Sequence, residues 1–233
     1  MGDIAKLATV LFMISAAAGL AVSFTYKQTK EKIALEKKFR EEQALQEVLP
    51  EGTSIKKREK TPAIPGTYWA ALKDSSIIGY AFKGSAKGYS STIEFLVGIN
   101  PEGTILGLTI LSQEETPGLG ARVKETVSKK YLWNGLLTKR ERDTPWFTKQ
   151  FKGIDVTKDI SLDHKSPEWH KLSEEQKKSM QMNNTITAIT GATISTEAIK
   201  KEIKKVAYAY FSALKEKEDV QLEPDPLTTS DEE

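Results

Sequence analysis

A loop rich in small and hydroxyl residues, Thr190–Thr196, comes directly before the most regular amphipathic segment of the chain. The first N–H groups of a helix have no partner within the helix, and the helix dipole places partial positive charge there. Such a loop therefore favours an anion, for example a phosphate group. Simple capping of the helix by Ser195 or Thr196, with Glu197 in the first turn, accounts for the same residues. The residues alone indicate a candidate phosphate site and leave open whether a phosphate would be covalently bound.

A second loop that could bind a ligand, Glu115–Gly120, follows a segment whose composition predicts a strand. Its Pro117-Gly118 pair is typical of a type II turn, because the third residue of that turn must adopt a positive φ, which glycine allows. Gly120 leaves more of the backbone without side chains, so a planar ligand could lie against it. An ordinary strand-to-helix turn is the alternative for this hexapeptide on its own.

The absence of cysteine limits the chemistry available to the chain. Without thiolates there can be no disulfide, iron–sulfur cluster, thiolate zinc site or cysteine nucleophile. The two histidines, His164 and His170, lie in a polar stretch and are interpreted as solvated surface side chains rather than metal ligands. The net charge of +2, from 34 basic and 32 acidic residues, argues against a nucleic-acid-binding protein. Any redox chemistry would therefore depend on an organic cofactor.

The N-terminal segment predicts a transmembrane helix over residues 7–26, after a short tail at residues 1–6. No charged residue occurs between Lys6 and Lys27, and this stretch of 20 residues covers about 30 Å as a helix, the thickness of a hydrocarbon core. A cleaved signal peptide ending at Ala16–Ala18 and a buried core helix are the alternatives. Against them, apolar residues continue well past these alanines and no polar stripe interrupts them.

Residues 27–50 predict a helical stalk that leads out of the membrane. Many Glu and Lys residues accompany an imperfect apolar stripe, and Pro50-Glu51-Gly52 ends the pattern. Five lysines follow the span closely and one precedes it, so the positive-inside rule would place the following domain in the cytoplasm. That rule is weak for long domains, which are translocated despite such charges.

The rest of the chain predicts an α+β domain, with an antiparallel sheet and flanking helices, over residues 60–217. Segments rich in β-branched and aromatic residues are separated by turn sequences, which indicates a meander of antiparallel strands at residues 68–72, 77–82, 92–99 and 105–111. Helices are predicted near residues 121–137 and 195–217. The second helix has one apolar face, formed by Ile199, Ile203, Val206, Tyr210, Phe211 and Leu214. The acidic segment at residues 218–233 is predicted to be disordered.

Together the two loops resemble the FMN-binding domain of the G subunit of the Rnf electron-transport complex, and of its relative, the C subunit of the sodium-pumping NADH:quinone reductase. In that family a Ser/Thr-Gly-Ala-Thr run accepts FMN through a phosphoester on its last threonine, which is Thr193 here. A Glu-Thr-Pro-Gly-Leu-Gly run lies near the isoalloxazine ring, and a third match is Trp146 with Gln150-Phe151-Lys152-Gly153. The N-terminal anchor fits as well. The cofactor-binding residues that the resemblance implies are Thr190, Gly191, Ala192, Thr193, Ser195, Glu115, Thr116, Pro117, Gly118, Leu119 and Gly120.

The resemblance also implies a function. The chain would be a membrane-anchored flavoprotein that carries electrons on covalent FMN, in a complex that couples electron transfer between ferredoxin and NAD to translocation of Na⁺ or H⁺. Its partners would be other membrane and iron–sulfur subunits, and an extracytoplasmic, Mg-dependent flavin transferase that delivers FMN from FAD. That enzyme's location would place the domain outside the cytoplasm, on the cell membrane. Thr193 would hold the flavin without a role in the redox step, and the subunit alone would catalyse little.

Two features depart from the family's pattern. An acidic residue often lies three positions before the first Ser/Thr of the run, where this chain has Thr187, and a transferase that reads that carboxylate would modify the site less readily. The stretch from His164 to Asn183 is longer and more polar than the usual approach to the loop, as in an insertion or a docking surface.

Two other functions stay open on the sequence alone. One is the equivalent subunit of the sodium-pumping quinone reductase, since both relatives share these motifs, and a neighbouring gene for a ferredoxin-type subunit would favour Rnf. The other is a membrane-anchored binding module without a cofactor, which a yellow purified protein would exclude.

Overall fold

The computed structural model describes residues 2–58, 66–74, 76–127 and 144–222, with side chains up to residue 215. The chain divides into two compact units, one up to Gln43 and one from Ala44 onward. Helix α1 runs from Gly2 to Val48 and supplies nearly all of the first unit. The predicted span and the predicted stalk therefore belong to one helix, and Pro50-Glu51-Gly52 follows its end as expected.

Helix α1 is long and apolar enough to cross a membrane, and no other helix within the described ranges is. Every side chain from Leu7 to Tyr26 is exposed. This exposure argues against the alternative of a buried core helix, because a soluble protein rarely leaves so large an apolar surface in water.

Five antiparallel strands form the main sheet in the order β1-β2-β3-β4-β5, so each strand pairs with its neighbours in sequence. Their bounds are β1 Ser54–Arg58, β2 Tyr68–Lys73, β3 Ser76–Lys87, β4 Thr92–Ile99 and β5 Ile105–Ser112. Strands β2 to β5 confirm the predicted meander. The connection between β3 and β4 is the tight turn Gly88–Ser91, in which the Gly88 N–H donates to the Ser91 carbonyl at 2.8 Å.

Strand β1 is not predicted by the sequence pattern, because it contains two lysines, an arginine and one apolar residue, Ile55. It pairs with β2 in a register that places Ser54 opposite Leu72. An edge strand has one free side and tolerates charged residues, which also discourage pairing with other chains. The strand lies before residue 60, the predicted start of the domain.

The larger hydrophobic core lies between one face of the sheet and helix α4, Thr193–Leu222. Tyr210 of α4 stacks on Phe82 of β3, with ring centroids 4.4 Å apart and an interplanar angle of 5°. All six residues of the predicted apolar face belong to this core. Ile199, Ile203 and Tyr210 are buried, and Val206, Phe211 and Leu214 are partly buried. Burial of this face determines where the helix begins, and therefore where the Thr190–Thr196 loop lies.

Helix α4 is longer than predicted and continues to Leu222, into the segment expected to be disordered. The residues that extend it, 218–222, include Glu, Gln and Leu, which have high helix propensity. Extending an existing helix also avoids the unfavourable nucleation step that an isolated acidic segment would face.

Short elements connect the sheet to α4. Within the described ranges they are a 3₁₀ helix at Gly120–Lys124, α2 at Trp146–Lys149, β6 at Ser161–Asp163, another 3₁₀ helix at Trp169–Lys171, α3 at Glu174–Met182 and β7 at Thr185–Thr187. Strands β6 and β7 pair in parallel. The helix predicted near residues 121–137 is confirmed only as the short 3₁₀ helix that ends at Lys124. It is wrong from Glu125 on, where the backbone is extended and the Glu125 carbonyl accepts the Trp146 N–H. Residues 128–143 lie outside the described ranges.

The end of α1 packs on the second face of the sheet at a pair of glycines. Gly98 of β4 lies opposite Gly107 of β5, and the Val48 backbone lies directly over both. A Cβ atom at Gly107 would lie 2.8 Å from the Val48 Cα, and one at Gly98 would overlap the Val48 carbonyl oxygen. Around this contact a smaller core forms from Ala44, Leu45, Val48, Leu49, Trp69, Ala71, Ala81 and Leu96.

We expect Gly98→Ala to lower the free energy of unfolding by about 1–3 kcal/mol, because the new methyl group meets backbone that cannot rotate away. Urea unfolding of the detergent-solubilised full-length chain, followed by tryptophan fluorescence, measures the change. Ser85→Ala on the exposed surface of β3 is the control and should change stability by less than about 0.5 kcal/mol. Equal stability of the Gly98→Ala variant and the parent would show that α1 does not rest on this glycine pair.

Candidate cofactor site

Three loops that are distant in sequence meet around one open cleft of about 400 Å³. The β3–β4 turn contributes Tyr89, the Glu115–Gly120 loop contributes four residues, and the segment Gly191–Ser195 contributes all of its members. The structure therefore brings together the two loops that the sequence analysis singled out. The predicted residues that line this cleft are Glu115, Thr116, Leu119, Gly120, Gly191, Ala192, Thr193 and Ser195.

The Thr190–Thr196 loop turns sharply into helix α4. The Ala192 N–H donates to the Ile189 carbonyl at 2.9 Å, and Gly191 has a φ of 80°, which a side chain would strain. Helix α4 begins at Thr193, so the alternative in which Ser195 or Thr196 caps the helix is wrong. Both residues lie inside the first turn, where burial of the α4 face draws the chain into helical conformation earlier than the sequence pattern indicates.

The first turn of α4 has the geometry of an anion site. The earliest backbone hydrogen bond of the turn runs from the Thr196 N–H to the Ala192 carbonyl at 3.0 Å. The amides of residues 193–195 precede that bond, at the positive end of the helix dipole. Thr193 is exposed, whereas Ser195 and Thr196 are 1% and 0% exposed. An anion bound at these amides would thus lie beside the hydroxyl group of Thr193.

Glu115 connects the three loops through hydrogen bonds to its carboxylate. It is 5% exposed, and its Oε1 accepts the amides of Ser90 at 3.0 Å and Ser91 at 2.8 Å. The Ser195 hydroxyl donates to its Oε2 at 2.7 Å. A buried carboxylate is stable only when hydrogen-bond donors replace the water that it loses. Here both neighbouring loops supply such donors to one carboxylate.

Burial acts to raise the pKa of Glu115, but the hydrogen bonds from Ser195, Ser91 and Ser90 outweigh it and lower the pKa below its ordinary value of 4.5. The side chain is therefore ionised at neutral pH. The resemblance implies that Glu115 is a cofactor-binding residue. In the structure its carboxylate is hydrogen-bonded to the loops that form the cleft.

Glycines allow the loops to approach this carboxylate closely. A Cβ atom at Gly120 would overlap the Glu115 carboxylate and lie 2.9 Å from the Ser195 hydroxyl, and one at Gly88 would lie 2.5 Å from Glu115 Oε1. Gly120 lines the cleft but is itself buried. Its missing side chain makes room for the Glu115–Ser195 hydrogen bond.

The predicted type II turn is confirmed. Gly118 has a φ of 76°, and the Leu119 N–H donates to the Thr116 carbonyl at 3.1 Å. The turn projects Leu119 across the cleft toward the other loop, where a Cβ atom at Gly191 would lie 3.0 Å from its Cδ2. Pro117 and Gly118 are exposed and support the turn without lining the cleft.

Three exposed apolar side chains surround Thr193 in the cleft. Tyr89 is 74% exposed, Ile194 59% and Leu119 44%. Exposed apolar groups clustered around a polar anchor are typical of a site that receives a partly apolar ligand. The cleft therefore combines an anion position with apolar surface, as a phosphorylated aromatic ring system requires.

Glu168 is a site residue that sequence reasoning missed. It lies in the 164–183 stretch, is 2% exposed and accepts two hydrogen bonds from the Arg122 guanidinium, at 2.6 and 3.0 Å. Its Oε1 also accepts the Thr190 N–H at 3.1 Å, and Lys171 lies 3.2 Å from Oε2. Arg122 follows the Glu115–Gly120 loop closely, so this carboxylate joins the two loops a second time. No local pattern in the sequence pairs residues 122, 168 and 190.

Burial acts to raise the pKa of Glu168, but the hydrogen bonds from Arg122, the Thr190 amide and Lys171 together lower the pKa to about 2. Arg122 is held in place by a second carboxylate, Glu125, at 2.9 Å. Glu125 in turn accepts the Trp146 indole N–H at 3.0 Å, so the Trp146 motif supports the same network.

The third motif positions the segment just before the Thr190 loop. Gln150 is fully buried, and its side-chain oxygen accepts the Thr187 N–H at 2.8 Å while its amide group donates to the Thr187 carbonyl at 3.3 Å. The Thr187 hydroxyl donates to Gln150 at 3.1 Å and accepts the Trp169 N–H at 3.0 Å. Thr187, where the family often has an acid, therefore serves here as a buried hydrogen-bonding residue.

The two histidines differ from each other. His164 is exposed as expected, but His170 is half-buried and packs on Trp146 with ring centroids 5.0 Å apart, so the surface interpretation of His170 is wrong. Burial lowers the pKa of His170 below 6.5 despite the nearby Glu168. Within the described ranges, no group of His, Asp and Glu side chains could hold a metal ion.

We expect Glu168 to make the stability of the domain depend on pH. Its pKa falls from 4.5 to about 2 on folding, so its contribution is complete well above pH 4.5 and is lost as the pH falls toward 2. Of the roughly 3 kcal/mol that this shift represents, about 2 kcal/mol should be lost by pH 3. Urea unfolding at pH 6 and pH 3 measures the loss.

The control is Glu168→Gln, in which every other carboxylate still titrates. The drop in stability between the two pH values should be smaller in this variant than in the parent by about 2 kcal/mol. Equal drops would mean that the Glu168 carboxyl titrates alike in the folded and unfolded chains.

The part of the chain that forms this cleft is similar to a known protein family. Residues 88–207 match the FMN-binding domain family. The matched region starts at the β3–β4 turn and ends in α4, so it contains the three loops described above.

Curated relatives match over a larger part of the chain. The G subunit of the Na⁺-translocating ferredoxin:NAD⁺ oxidoreductase complex of Acetobacterium woodii is 27% identical over 219 residues, covering 88% of this chain and 90% of that protein. The G subunit of the ion-translocating oxidoreductase complex of Methanosarcina acetivorans is 26% identical, covering 84% and 89%. The G subunit of the proton-translocating ferredoxin:NAD⁺ oxidoreductase complex of Clostridium ljungdahlii is 29% identical, covering 59% and 56%.

Among solved structures, NqrC of Shewanella oneidensis is 17% identical with a TM-score of 0.44, covering 74% of each chain. The family match covers more than half of this chain and contains every residue that lines the cleft. The chain therefore belongs to the FMN-binding domain family.

Proposed function

We propose that this chain is the membrane-anchored, electron-carrying flavoprotein subunit of an ion-translocating ferredoxin:NAD⁺ oxidoreductase complex, and that its FMN is esterified to Thr193. The observation that carries the complex-level proposal is the match to the Acetobacterium woodii protein over 88% of this chain and 90% of that protein's length. The FMN-binding family match supports the cofactor.

The exposure of the loop hydroxyls supports Thr193 as the attachment point. Of the four hydroxyl residues in the loop, Ser195 and Thr196 are buried and their hydroxyls donate to Glu115 and to the Ala192 carbonyl. Thr190 and Thr193 are exposed. Thr193 is the one of these two that begins α4, where the amides and the helix dipole stabilise the remaining negative charge of a phosphodiester.

Attachment needs a separate transferase that uses FAD. In that step the Thr193 oxygen forms a bond to the phosphorus of the FMN half, the pyrophosphate bond breaks, AMP leaves, and the hydroxyl proton passes to solvent. Bound FMN supplies the redox chemistry, which no side chain of this cysteine-free chain provides. Residues 193–195 would hold the phosphate, and the apolar side chains of Tyr89, Leu119 and Ile194 would be available to the ring system.

The chain should act as one electron carrier among several and should catalyse little alone. Its proposed partners are the other membrane and iron–sulfur subunits of the complex, together with the transferase. The transferase is expected outside the cytoplasm, so we place the FMN domain on the extracytoplasmic side of the cell membrane, against the lysine count. The equivalent subunit of the sodium-pumping quinone reductase is the runner-up, and the relatives from Acetobacterium and Clostridium favour the ferredoxin-linked complex.

We expect Thr193→Val to abolish covalent flavin, because valine keeps the shape of threonine and removes the attacking oxygen. The chain is co-expressed with a flavin transferase, denatured, and examined by intact-mass measurement and by ultraviolet fluorescence on a gel. Thr190→Val, which removes the other exposed hydroxyl of the loop, should retain the flavin. Fluorescence that persists in Thr193→Val, or that disappears only in Thr190→Val, would contradict the assignment.

The side of the membrane can be tested because the chain lacks cysteine. A single cysteine at Glu102, in the exposed β4–β5 turn, should react with a membrane-impermeant maleimide in intact spheroplasts of the expression host. A cysteine at Gly2, on the other side of the span, should react only after lysis. The reverse pattern would place the domain in the cytoplasm.

A further inference from the structure

From its sequence, the 164–183 stretch is interpreted as an insertion or a docking surface. In the structure this stretch delivers one buried carboxylate, that of Glu168, to the base of the Thr190 loop. Three groups hold the carboxylate in place: the Arg122 guanidinium, Lys171 and the Thr190 amide. A carboxylate held by this many donors is a rigid acceptor, and the amide bonded to it is correspondingly constrained.

The loop that carries Thr193 is therefore fixed at both ends by carboxylates. On its N-terminal side the Thr190 N–H donates to Glu168, and on its C-terminal side the Ser195 hydroxyl donates to Glu115. Between these two contacts Thr193 stays exposed. The arrangement immobilises the backbone around the hydroxyl without covering it.

The negative charge of Glu168 is compensated by the positive charges of Arg122 and Lys171. Arg122 binds it through two nitrogens, and Lys171 lies 3.2 Å away. A negative charge so compensated does not repel a phosphate group at the nearby start of α4, as a lone carboxylate would. Glu168 can therefore hold the loop without opposing the ligand expected there.

We propose that Glu168 is a positioning residue for flavin attachment: it holds the Thr190 amide so that the Thr193 hydroxyl is presented to the transferase in one fixed geometry. The proposal rests on the proposed function, since it concerns the attachment of FMN to Thr193. It assigns a role to a residue outside the two signature loops, in the stretch that the sequence left unexplained.

The test measures the rate of flavin attachment with the full-length chain in detergent, purified transferase, FAD and Mg²⁺. Samples are denatured at intervals and their masses measured. Glu168→Gln should slow attachment at least about tenfold, because the loop loses its charged acceptor. Glu175→Gln is the matched control: it removes an exposed carboxylate of the same stretch, in the first turn of α3, and should change the rate by less than about twofold.

A second control separates positioning from general loss of stability. Gly98→Ala weakens the packing of α1 on the other face of the sheet, so it should lower the melting temperature without slowing attachment. Hydrogen exchange adds a local readout: Glu168→Gln should increase exchange at the amides of residues 190–193, and Gly98→Ala should not. A rate for Glu168→Gln equal to that of the parent, or an equal slowing in Gly98→Ala, would overturn the proposal.

If Glu168→Gln does not fold, Glu168→Asp is used to test the proposal instead. Aspartate keeps the charge for Arg122 but is one methylene too short to reach Arg122 and the Thr190 amide together, so attachment should still slow. Attachment at the parental rate in Glu168→Asp with increased exchange at Thr190 would overturn the proposal. Absence of flavin from the parent chain itself would instead refute the proposed function, so the two failures are distinguishable.

Discussion

The Glu115 carboxylate is the interaction on which the site depends. It is buried among the β3–β4 turn, its own loop and the first turn of α4, and each neighbouring loop supplies it with donors. Removing a charge from water is strongly unfavourable unless such donors replace the water. The loops are therefore held together because none of them could satisfy this carboxylate alone. The same carboxylate requires glycine at positions 88 and 120, since a side chain at Gly88 or Gly120 would occupy the space of the carboxylate.

A second buried carboxylate repeats this principle on the opposite side of the loop. Glu168 links Arg122 to the Thr190 amide, and its lowered pKa reflects how fully its donors replace water. Together the two carboxylates immobilise the backbone around Thr193 and leave its hydroxyl accessible. Under the proposed function this arrangement has an advantage: a flavin esterified to Thr193 would need only a fixed anchor and an open face, and an open face would let electron-transfer partners approach.

Local hydrophobic patterns predicted most of the fold, because strands and helices that pack on the core need apolar residues at regular spacing. Strands β2 to β5 have the β-branched and aromatic residues that a half-buried sheet requires, and the α4 face has the helical spacing of apolar residues. Strand β1 has no such pattern, since an edge strand gains its order from pairing with β2 rather than from burial. The start of α4 was misplaced by two residues for a similar reason. Packing of the helix on the sheet decides where helical conformation begins, whereas capping preferences describe an isolated helix end.

The sequence by itself determined the chemistry that this protein can offer. The lack of cysteine excludes thiolate chemistry, the apolar span predicts a membrane anchor, and the Thr190–Thr196 loop indicates a candidate phosphate site, whereas FMN itself was implied by the resemblance to the family. Only the tertiary structure decided which two hydroxyl residues of the loop are exposed, why Gly120 must be glycine, and that Glu168 reaches the Thr190 loop. The physical reason is distance along the chain: helices and turns depend on neighbours a few residues away, whereas the Glu115–Ser195 and Arg122–Glu168 contacts join residues 80 and 46 positions apart. Contacts of that range exist only after the sheet and α4 have packed.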